Sequence, residues 1–299
     1  MTHLATRSPV LGTVVELRLD GPQTATRQAE QAAWDCFERL EQEFSTFRPD
    51  SRLCQWRSGR GECSPDLLAV LSRAAHWYEL SGGAFHPATA GLTARWRRAE
   101  AEAVAPTAAE LVELTTDLPY RITPTGVERV ADCSEVDLNA IAKGYIVDEA
   151  AAAAAAVPGI STVVVNAGGD LRHCGTGSIQ VGIEDPATPY DNAPPRWRVP
   201  VANAALATSG SARRGFRVAD QWLGHVLDPR TGSPVGHTTS VSVVAATAMD
   251  ADALATVVGV LTTAEALDFA ARHQVACLLV SGDGTAHTSP EWPTDDQPR

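Results

Sequence analysis

The sequence predicts an α+β fold in which mixed or antiparallel sheets pack against helices. Valine-rich, strand-like segments follow one another through short turns in the second half of the chain, whereas amphipathic helices dominate the first half. This arrangement differs from the regular alternation of strand and helix that builds a parallel sheet. With 299 residues, 44% of them hydrophobic, the chain is long enough for one large domain. We expect a single domain over residues 1–290, which could form two lobes around a ligand site, and a polar tail over 291–299.

The first half is expected to open with a strand over residues 10–19, because VLGTVVELRL alternates partly and is rich in valine. Residues 24–44 carry alanine, phenylalanine and leucine at helical spacing and therefore predict an amphipathic helix. Ser64 and Pro65 form a typical helix start, so a second helix is expected over Asp66–Leu80.

A third helix is predicted in the middle of the chain, after a β-hairpin over residues 120–130. In DLNAIAKGYIVD the apolar residues fall at helical spacing, so the helix should begin at or just after Asp137 and carry Lys143 about two turns in. The run Ala150–Ala156 continues the helix, since alanine has the highest helix propensity, and Pro158 ends it.

The second half is predicted to consist mainly of strands. They are expected at 161–166, at 177–186, twice within 197–216, and after residue 221. Residues 238–272 predict a strand followed by one long helix, and residues 275–289 predict a closing hairpin.

Composition excludes several classes of function. The net charge is -12 and no basic stripe is present, which argues against nucleic acid as a partner. The six cysteines are scattered without a C-x-x-C pair or a zinc spacing, which is typical of free thiols in a reducing compartment. The start of the chain has no apolar signal region and no cysteine for lipid attachment. We therefore expect a cytoplasmic protein without a membrane anchor.

The segment around Lys143 indicates a phosphate site. The first turn of a helix offers free backbone N–H groups, and a nearby lysine adds a positive charge that suits phosphate. Asp137 adds a carboxylate at the same end of the predicted helix. A surface helix with ordinary charges explains this segment equally well.

Three further segments carry chemistry. Asp252 and Thr256 are four residues apart, so one helix face offers two hard oxygens of the kind Mg²⁺ prefers. The alternative is an exposed aspartate with a hydroxyl bonded to its own helix. In GHVLDPRTG, His225 could accept a proton or bind phosphate, or be a stray histidine in a hairpin turn. In SGGAFHPATAGL, two glycines indicate either a close backbone approach to a ligand or a plain helix end.

Eight motifs occur in one order along the chain: LGT, FSTFRPDS, GGAFHP, DLNAIAKGYIVD, NAGGD, ATSG, HVLDPRTG and ADALAT. Together they resemble the FAD:protein FMN transferase family (ApbE-type, formerly called thiamine biosynthesis lipoprotein). The resemblance runs from about Gly12 to Val280. It implies an ApbE-like, T-fold-related architecture.

The resemblance also implies an activity. Members of this family use Mg²⁺ to move FMN from FAD onto a Ser or Thr hydroxyl of an acceptor flavoprotein, and AMP leaves. Two alternatives stay open at this point. Water could replace the acceptor hydroxyl, which would make the protein an FAD pyrophosphatase, or the chain could carry FAD without cleaving it. A structural domain that has lost the function is the remaining possibility.

Site residues follow from the resemblance position by position. The residues implied in contacts with FAD are Leu11, Phe47, Ala84, Phe85, His86, Asp137, Lys143 and Val226. The implied metal ligands are the Ala140 carbonyl, the Asp252 carboxylate and the Thr256 hydroxyl. The residues we expect to act in catalysis are His225, Asp252 and Lys143.

The sequence departs from the family pattern at four points. His86 stands where the family usually has aspartate, which puts the local FAD contact in doubt. Asn139 replaces a usual glycine and could re-aim the turn before Ala140. Leu11 replaces a more frequent methionine. The fourth departure is the missing lipoprotein signal, from which we expect a cytoplasmic acceptor.

Overall fold

An eight-stranded antiparallel sheet organises the chain in a computed structural model that describes residues 1–188, 193–211 and 214–293. The strands are β1 (Thr2–Val10), β2 (Thr13–Asp20), β3 (Tyr120–Thr123), β4 (Gly126–Arg129), β5 (Thr162–Ala167), β6 (Asp170–Gly175), β7 (Ile179–Ile183), β8 (Trp197–Val201), β9 (Ala205–Gly210), β10 (Gly215–Val218), β11 (Gln221–Gly224), β12 (Thr238–Ala245), β13 (Ala276–Ser281) and β14 (Ala286–Thr288). The large sheet has the order β1-β2-β5-β6-β9-β12-β13-β14, and β3-β4, β7-β8 and β10-β11 form separate pairs.

Helices pack around the large sheet and the smaller strand pairs. They are α1 (Gln23–Phe44), α2 (Arg52–Arg57), α3 (Pro65–Leu80), α4 (Ala90–Glu102), α5 (Ala108–Leu114), α6 (Ala142–Ala155), α7 (Ala248–Val260) and α8 (Thr263–His273). With its large antiparallel sheet and packed helices, the structure confirms the predicted α+β class.

Strand β5, inside the large sheet, is apolar on both faces. On β5, Val163 and Val165 point into the main core beneath the helices, while Val164 joins a second core on the opposite face. The β7-β8 pair covers that second face through Ile183 and Val199. Since side chains alternate along a strand, a run of valines fills both layers. A third cluster joins α4, α5 and the β10-β11 pair. The predicted division of the domain into two lobes stays a prediction.

The N-terminal strand predicted over residues 10–19 is instead a hairpin. β1 and β2 pair antiparallel, and Val10 faces Thr13 across a two-residue turn. Leu11 has φ 51 and Gly12 has φ 72. A turn with positive φ at both central residues matches the right-handed twist of the strands it joins. The LGT motif is therefore the tip of a hairpin.

The helix predicted from Asp137 begins later, at Ala142, with Ile141 as the preceding residue. The Asn139 backbone N–H donates to Asp137 Oδ1 at 2.9 Å, and this local bond stabilises a turn instead of a helix. The prediction that Lys143 lies two turns into the helix is therefore wrong, because Lys143 lies in the first turn. The alanine run does continue the helix, as predicted, to Ala155.

The long helix predicted before residue 272 is two helices. Leu261 has an extended backbone (ψ 148) and ends α7. Thr262 then starts α8 by a capping box with Glu265.

Strand β6 was missed because it directly follows the glycine turn. The tail predicted over 291–299 falls largely on 294–299, which lie outside the described residues. No helix within the described part of the chain is long and apolar enough to cross a membrane.

Candidate functional site

Three of the motifs meet at one end of the large sheet. Ala167 faces Asp170 across a turn formed by Gly168 (φ +60) and Gly169 (φ +105). A Cβ atom on Gly168 would lie 2.2 Å from Thr13 Oγ1, so this turn packs closely against the LGT hairpin. The backbone N–H of Thr208, in the ATSG motif, donates to the Gly169 carbonyl at 3.1 Å. The NAGGD motif thus places Asp170 among residues far apart in sequence.

The first turns of α6 and α7 meet in an arrangement that we call the α6–α7 joint (Gly144, Asp148, Ala248, Met249 and Asp252). A Cβ atom on Gly144 would lie 2.2 Å from the Ala248 carbonyl oxygen, so only glycine allows this approach. Asp148 Oδ1 and Oδ2 accept from the N–H groups of Ala248 and Met249 at 2.8 and 2.9 Å. Asp252 Oδ2 accepts from the Gly144 N–H at 3.3 Å. Each helix therefore supplies a carboxylate to the start of the other.

Lys143, Asp170 and Asp252 form a buried carboxylate cluster beside this joint. Lys143 Nζ lies 3.1 Å from Asp170 Oδ2. Asp170 is 1% exposed and Asp252 is 9% exposed. Burial, reinforced by the neighbouring Asp252 carboxylate, raises the pKa of Asp170 well above its usual range. Burial also raises the pKa of Asp252, although Lys143 and the Gly144 N–H oppose the change.

The cluster contains two carboxylates but only one ammonium. Burial would lower the pKa of Lys143, but Asp170 and Asp252 together raise it, so the lysine stays charged. Among the described residues, the buried Asp170 Oδ2 atom has no partner with hydrogen-bond geometry, although the Lys143 ammonium lies 3.1 Å from it. Buried charges are costly unless they are paired and hydrogen-bonded. A further cation at this cluster would stabilise the ionised forms of both carboxylates, so the residues present fit a metal ion.

The other two implied metal ligands are neutral oxygens. Thr256 lies one helical turn after Asp252, and its hydroxyl donates weakly to the Asp252 carbonyl at 3.5 Å, which leaves the oxygen lone pairs free. Ala140 lies in the turn just before α6. The described residues contain no group of three or more His, Cys, Asp and Glu side chains arranged for a metal. The sequence alternative of an exposed Asp252 is wrong, because that side chain is buried.

His225 follows β11, and its ring is held in one orientation. Its Nδ1 atom lies 3.3 Å from the Arg214 carbonyl oxygen. A carbonyl can only accept, so Nδ1 carries the proton and Nε2 keeps a free lone pair. Burial lowers the pKa of His225, and the positive charges of Arg214, Arg97 and Lys143 lower it further. The ring is therefore neutral near pH 7. The neighbouring Val226 uses its carbonyl to accept from the Val235 N–H at 2.9 Å.

The segment 84–88, which we call the His86 loop, is fixed by the histidine that departs from the family pattern. Its Nδ1 atom accepts from the Ala88 N–H at 3.0 Å, and its Nε2 atom lies 3.0 Å from the Thr116 carbonyl oxygen, to which it donates. Burial lowers the pKa of His86, although the bond to Thr116 opposes this. Ala84 and Phe85 are fully buried, at 0% and 1% exposure. Contact of these two residues with FAD stays a prediction, because neither their side chains nor their backbones are exposed.

The His86 loop touches the segment that carries Asp137. The Asp137 N–H donates to the Pro87 carbonyl at 2.6 Å. Burial raises the pKa of the Asp137 carboxyl, although its bond to the Asn139 N–H opposes this. A cavity of about 440 Å³ opens beside the loop and is lined in part by Tyr78, His86 and Arg230. The structure thus joins two of the segments implied in FAD binding.

Phe47 and Leu11 lie at the periphery. Phe47 is 91% exposed on the loop between α1 and α2. That loop is anchored, because the Ser51 hydroxyl donates to the Ser45 carbonyl at 2.7 Å. Leu11 is half-buried at the hairpin tip. Contact of either side chain with a flavin stays a prediction.

Two carboxylates of the site were missed from the sequence. Asp170 is the last residue of NAGGD, and Asp148 is the last residue of DLNAIAKGYIVD. Neither was predicted to have a role in the site. Their partners lie 27 and about 100 residues away, at Lys143 and at Ala248 and Met249. A Gly-Gly-Asp turn directly after a buried strand was the one available signal for Asp170.

The chain is similar to known proteins over most of its length. The chain is 29% identical over 282 residues to an FAD:protein FMN transferase of Treponema pallidum, covering 84% of this chain and 77% of that protein. It is 28% identical to the FAD:protein FMN transferase of Haemophilus influenzae, with 87% and 81% covered. A crystal structure of the ApbE protein of Thermotoga maritima superposes with a TM-score of 0.85 at 25% identity, covering 97% of each chain. The pattern of the ApbE family matches residues 11–279, and the chain belongs to that family.

Proposed function

We propose that this chain is an FAD:protein FMN transferase that requires Mg²⁺. It would move FMN from FAD onto a Ser or Thr hydroxyl of an acceptor flavoprotein and release AMP. The observation that carries the proposal is the buried carboxylate cluster, in which Asp170 and Asp252 outnumber Lys143 at the start of α6. Family membership supports FMN transfer from FAD, and a cation beside the pyrophosphate would stabilise its charge. A cytoplasmic location stays a prediction.

Asp252, Thr256 and the Ala140 carbonyl would hold the Mg²⁺ ion. Two neutral oxygens and one carboxylate suit Mg²⁺, which commonly keeps positions for substrate phosphates and water. When bound, the ion would neutralise charge on the phosphate oxygens and act as a Lewis acid.

Lys143 would bind the pyrophosphate. Its ammonium is kept protonated by Asp170 and Asp252, and it lies in the first turn of α6, where the helix dipole favours negative charge. The ion pair with Asp170 restricts the lysine to one place. Phosphoryl transfer depends mainly on such positioning and charge stabilisation.

His225 would accept the proton of the attacking hydroxyl. In this reaction the acceptor oxygen forms a bond to the FMN phosphorus, and the bond from that phosphorus to the bridging oxygen breaks. The electrons of that bond leave with AMP, and the hydroxyl proton passes to a base. A neutral imidazole with a free Nε2 lone pair is suited to this role.

The flavin and the adenosine would be bound by the surrounding segments. We propose that Phe47 and Leu11 contact the flavin. The residues proposed to contact the rest of FAD are Ala84, Phe85, His86, Asp137 and Val226. The exposed ring of Phe47 is available for stacking.

An AMP-release assay would test the proposal. Purified protein would be incubated with FAD and Mg²⁺, with and without a domain that carries a Thr acceptor, and the acceptor would be weighed by mass spectrometry. We expect AMP together with an acceptor heavier by one FMN. AMP at a rate that the acceptor does not raise would indicate an FAD pyrophosphatase instead. Bound FAD without any AMP would indicate a carrier.

A further inference from the structure

We propose that Asp148 is a positioning residue for the metal site, although it would not touch the metal. The proposal rests on the function proposed above. Its basis is that the groups implied as metal ligands belong to two different elements. Ala140 lies two residues before α6, whereas Asp252 and Thr256 lie on α7. The spacing between these groups therefore depends on how α6 and α7 are joined.

Asp148 forms the strongest part of that joint. Its two carboxylate oxygens accept from the N–H groups of the first two residues of α7, Ala248 and Met249, at 2.8 and 2.9 Å. Asp252 follows within one helical turn, and Thr256 one turn later. A helix transmits a displacement of its first turn to the next, because its hydrogen bonds join successive turns. A shift at Ala248 would consequently move both proposed ligands.

Two further contacts, from Gly144 and from Arg172, hold the joint. Gly144 packs on the Ala248 carbonyl so closely that a Cβ atom would lie at 2.2 Å. From β6, Arg172 places Nε 3.5 Å from Asp148 Oδ1 and donates from Nη1 to the Ala246 carbonyl at 2.7 Å. Arg172 also lies two residues after Asp170, the ion-pair partner of Lys143. The Asp148 carboxylate is only 17% exposed, so water competes weakly for these bonds.

An ordinary helix cap is the alternative role for Asp148. A cap would contribute to stability but would leave metal affinity unchanged once the protein is folded. The chain offers a matched control in Thr262, which caps α8 through a capping box with Glu265. Thr262→Ala removes a cap of similar type from a helix that carries none of the proposed ligands.

Mn²⁺ binding to the full-length chain, freed of metal with EDTA, would separate the two roles. Free Mn²⁺ would be measured by electron paramagnetic resonance for wild type, Asp148→Ala, Asp148→Asn and Thr262→Ala, with Tm recorded for each. We expect Asp148→Ala to weaken Mn²⁺ binding about tenfold or more, as loss of groups that orient metal ligands does. Asp148→Asn keeps one oxygen acceptor and should fall between wild type and Asp148→Ala. Thr262→Ala should lower Tm and bind Mn²⁺ as wild type does.

Several outcomes would overturn the proposal. If the Asp148 variants lower Tm but bind Mn²⁺ within twofold of wild type, the residue is a cap only. If Asp148→Ala does not fold, Asp148→Asn alone decides between the two roles by the same twofold limit. Wild type that binds no Mn²⁺ would remove the metal site and this proposal with it, even if FMN transfer occurs. Asp148-dependent Mn²⁺ binding without AMP release would support the positioning role and reject the proposed reaction.

Discussion

The α6–α7 joint and the His86 loop both use a side-chain acceptor to bind free backbone N–H groups, but they differ in what that acceptor must be. In the joint, Asp148 and Asp252 accept from helix starts, and Asp252 also lies in a cluster with the Lys143 ammonium. In the loop, the His86 imidazole accepts from Ala88 and donates to Thr116. The loop needs an acceptor of the right geometry, whereas the joint also needs negative charge. A change from aspartate to histidine is therefore compatible with the loop but not with the joint.

The largest effect is expected for Asp252→Asn, which keeps an acceptor for the Gly144 N–H but removes the charge. FMN transfer should fall about 10²- to 10³-fold, as for loss of a group that stabilises transition-state charge. Because Asp170 and Asp252 repel each other in a buried site, Tm of the metal-free protein should stay level or rise. Transfer rate and thermal unfolding measured on the same preparation test both statements. Unchanged transfer would show that the charge is not needed.

Gly144→Ala should disturb the joint without changing its charge. The added Cβ atom would lie 2.2 Å from the Ala248 carbonyl oxygen, so α6 and α7 must separate. We expect a destabilisation of about 1–3 kcal/mol, typical of overpacking, measured by urea unfolding. Gly236→Ala is the matched control, since a Cβ atom there meets nothing within 4 Å. Equal stability of the two variants would contradict the close approach.

Two substitutions of His86 should differ in their effect on the loop. His86→Ala loses both hydrogen bonds and should cost about 1–3 kcal/mol, because the N–H of the buried Ala88 is left unsatisfied. His86→Asp can still accept from the Ala88 N–H, so the affinity for FAD, measured by flavin fluorescence, should stay within about threefold of wild type. A loss of FAD affinity in His86→Asp as large as in His86→Ala would show that the bond to Thr116, not the acceptor, fixes the loop.

The smallest expected effect is the contribution of His86 to the pH dependence of the free energy of unfolding. Burial holds the pKa of His86 below the value of 6.5 that it would have in the unfolded chain. The unfolded state therefore binds more protons, and the free energy of unfolding should fall as the pH drops below about 6.5. Urea unfolding at pH 7.5 and 5.5 would measure the decrease. It should be smaller in His86→Asp, and an equal decrease would assign it to His173 and His225, whose pKa values burial also lowers.

The sequence predicted elements where local signals agree. Helices α1 and α3 lie where periodicity places them, and Ser64 caps α3 by accepting from the Leu67 N–H. The start of α6 was placed too early, because Leu138 and Ile141 keep helical spacing through a turn that the Asp137 side chain stabilises. β1 was missed because it is an edge strand whose residues are mostly exposed, so it lacks the apolar alternation that indicates a strand.

The candidate site was accessible to sequence reasoning only in part. Lys143 and Asp252 were chosen separately, and the structure places both beside Asp170. That meeting depends on the antiparallel pairing of β5 with β6 and on the packing of Gly144 against Ala248, both of which are tertiary features. Local spacing does not encode them. The roles given to Leu11, Phe47 and Val226 stay predictions.

The exposure of Phe47 has a thermodynamic consequence for ligand binding. A ring that is 91% exposed before binding is hydrated on both faces, and a flavin stacked on it would release that water. Loss of apolar surface from water gives binding a negative heat-capacity change. The enthalpy of FAD binding should therefore become more favourable as temperature rises, with a smaller slope once Phe47 is replaced by alanine. The heat-capacity change of FAD binding would then report contact of the flavin with this loop, independently of any chemistry at the pyrophosphate.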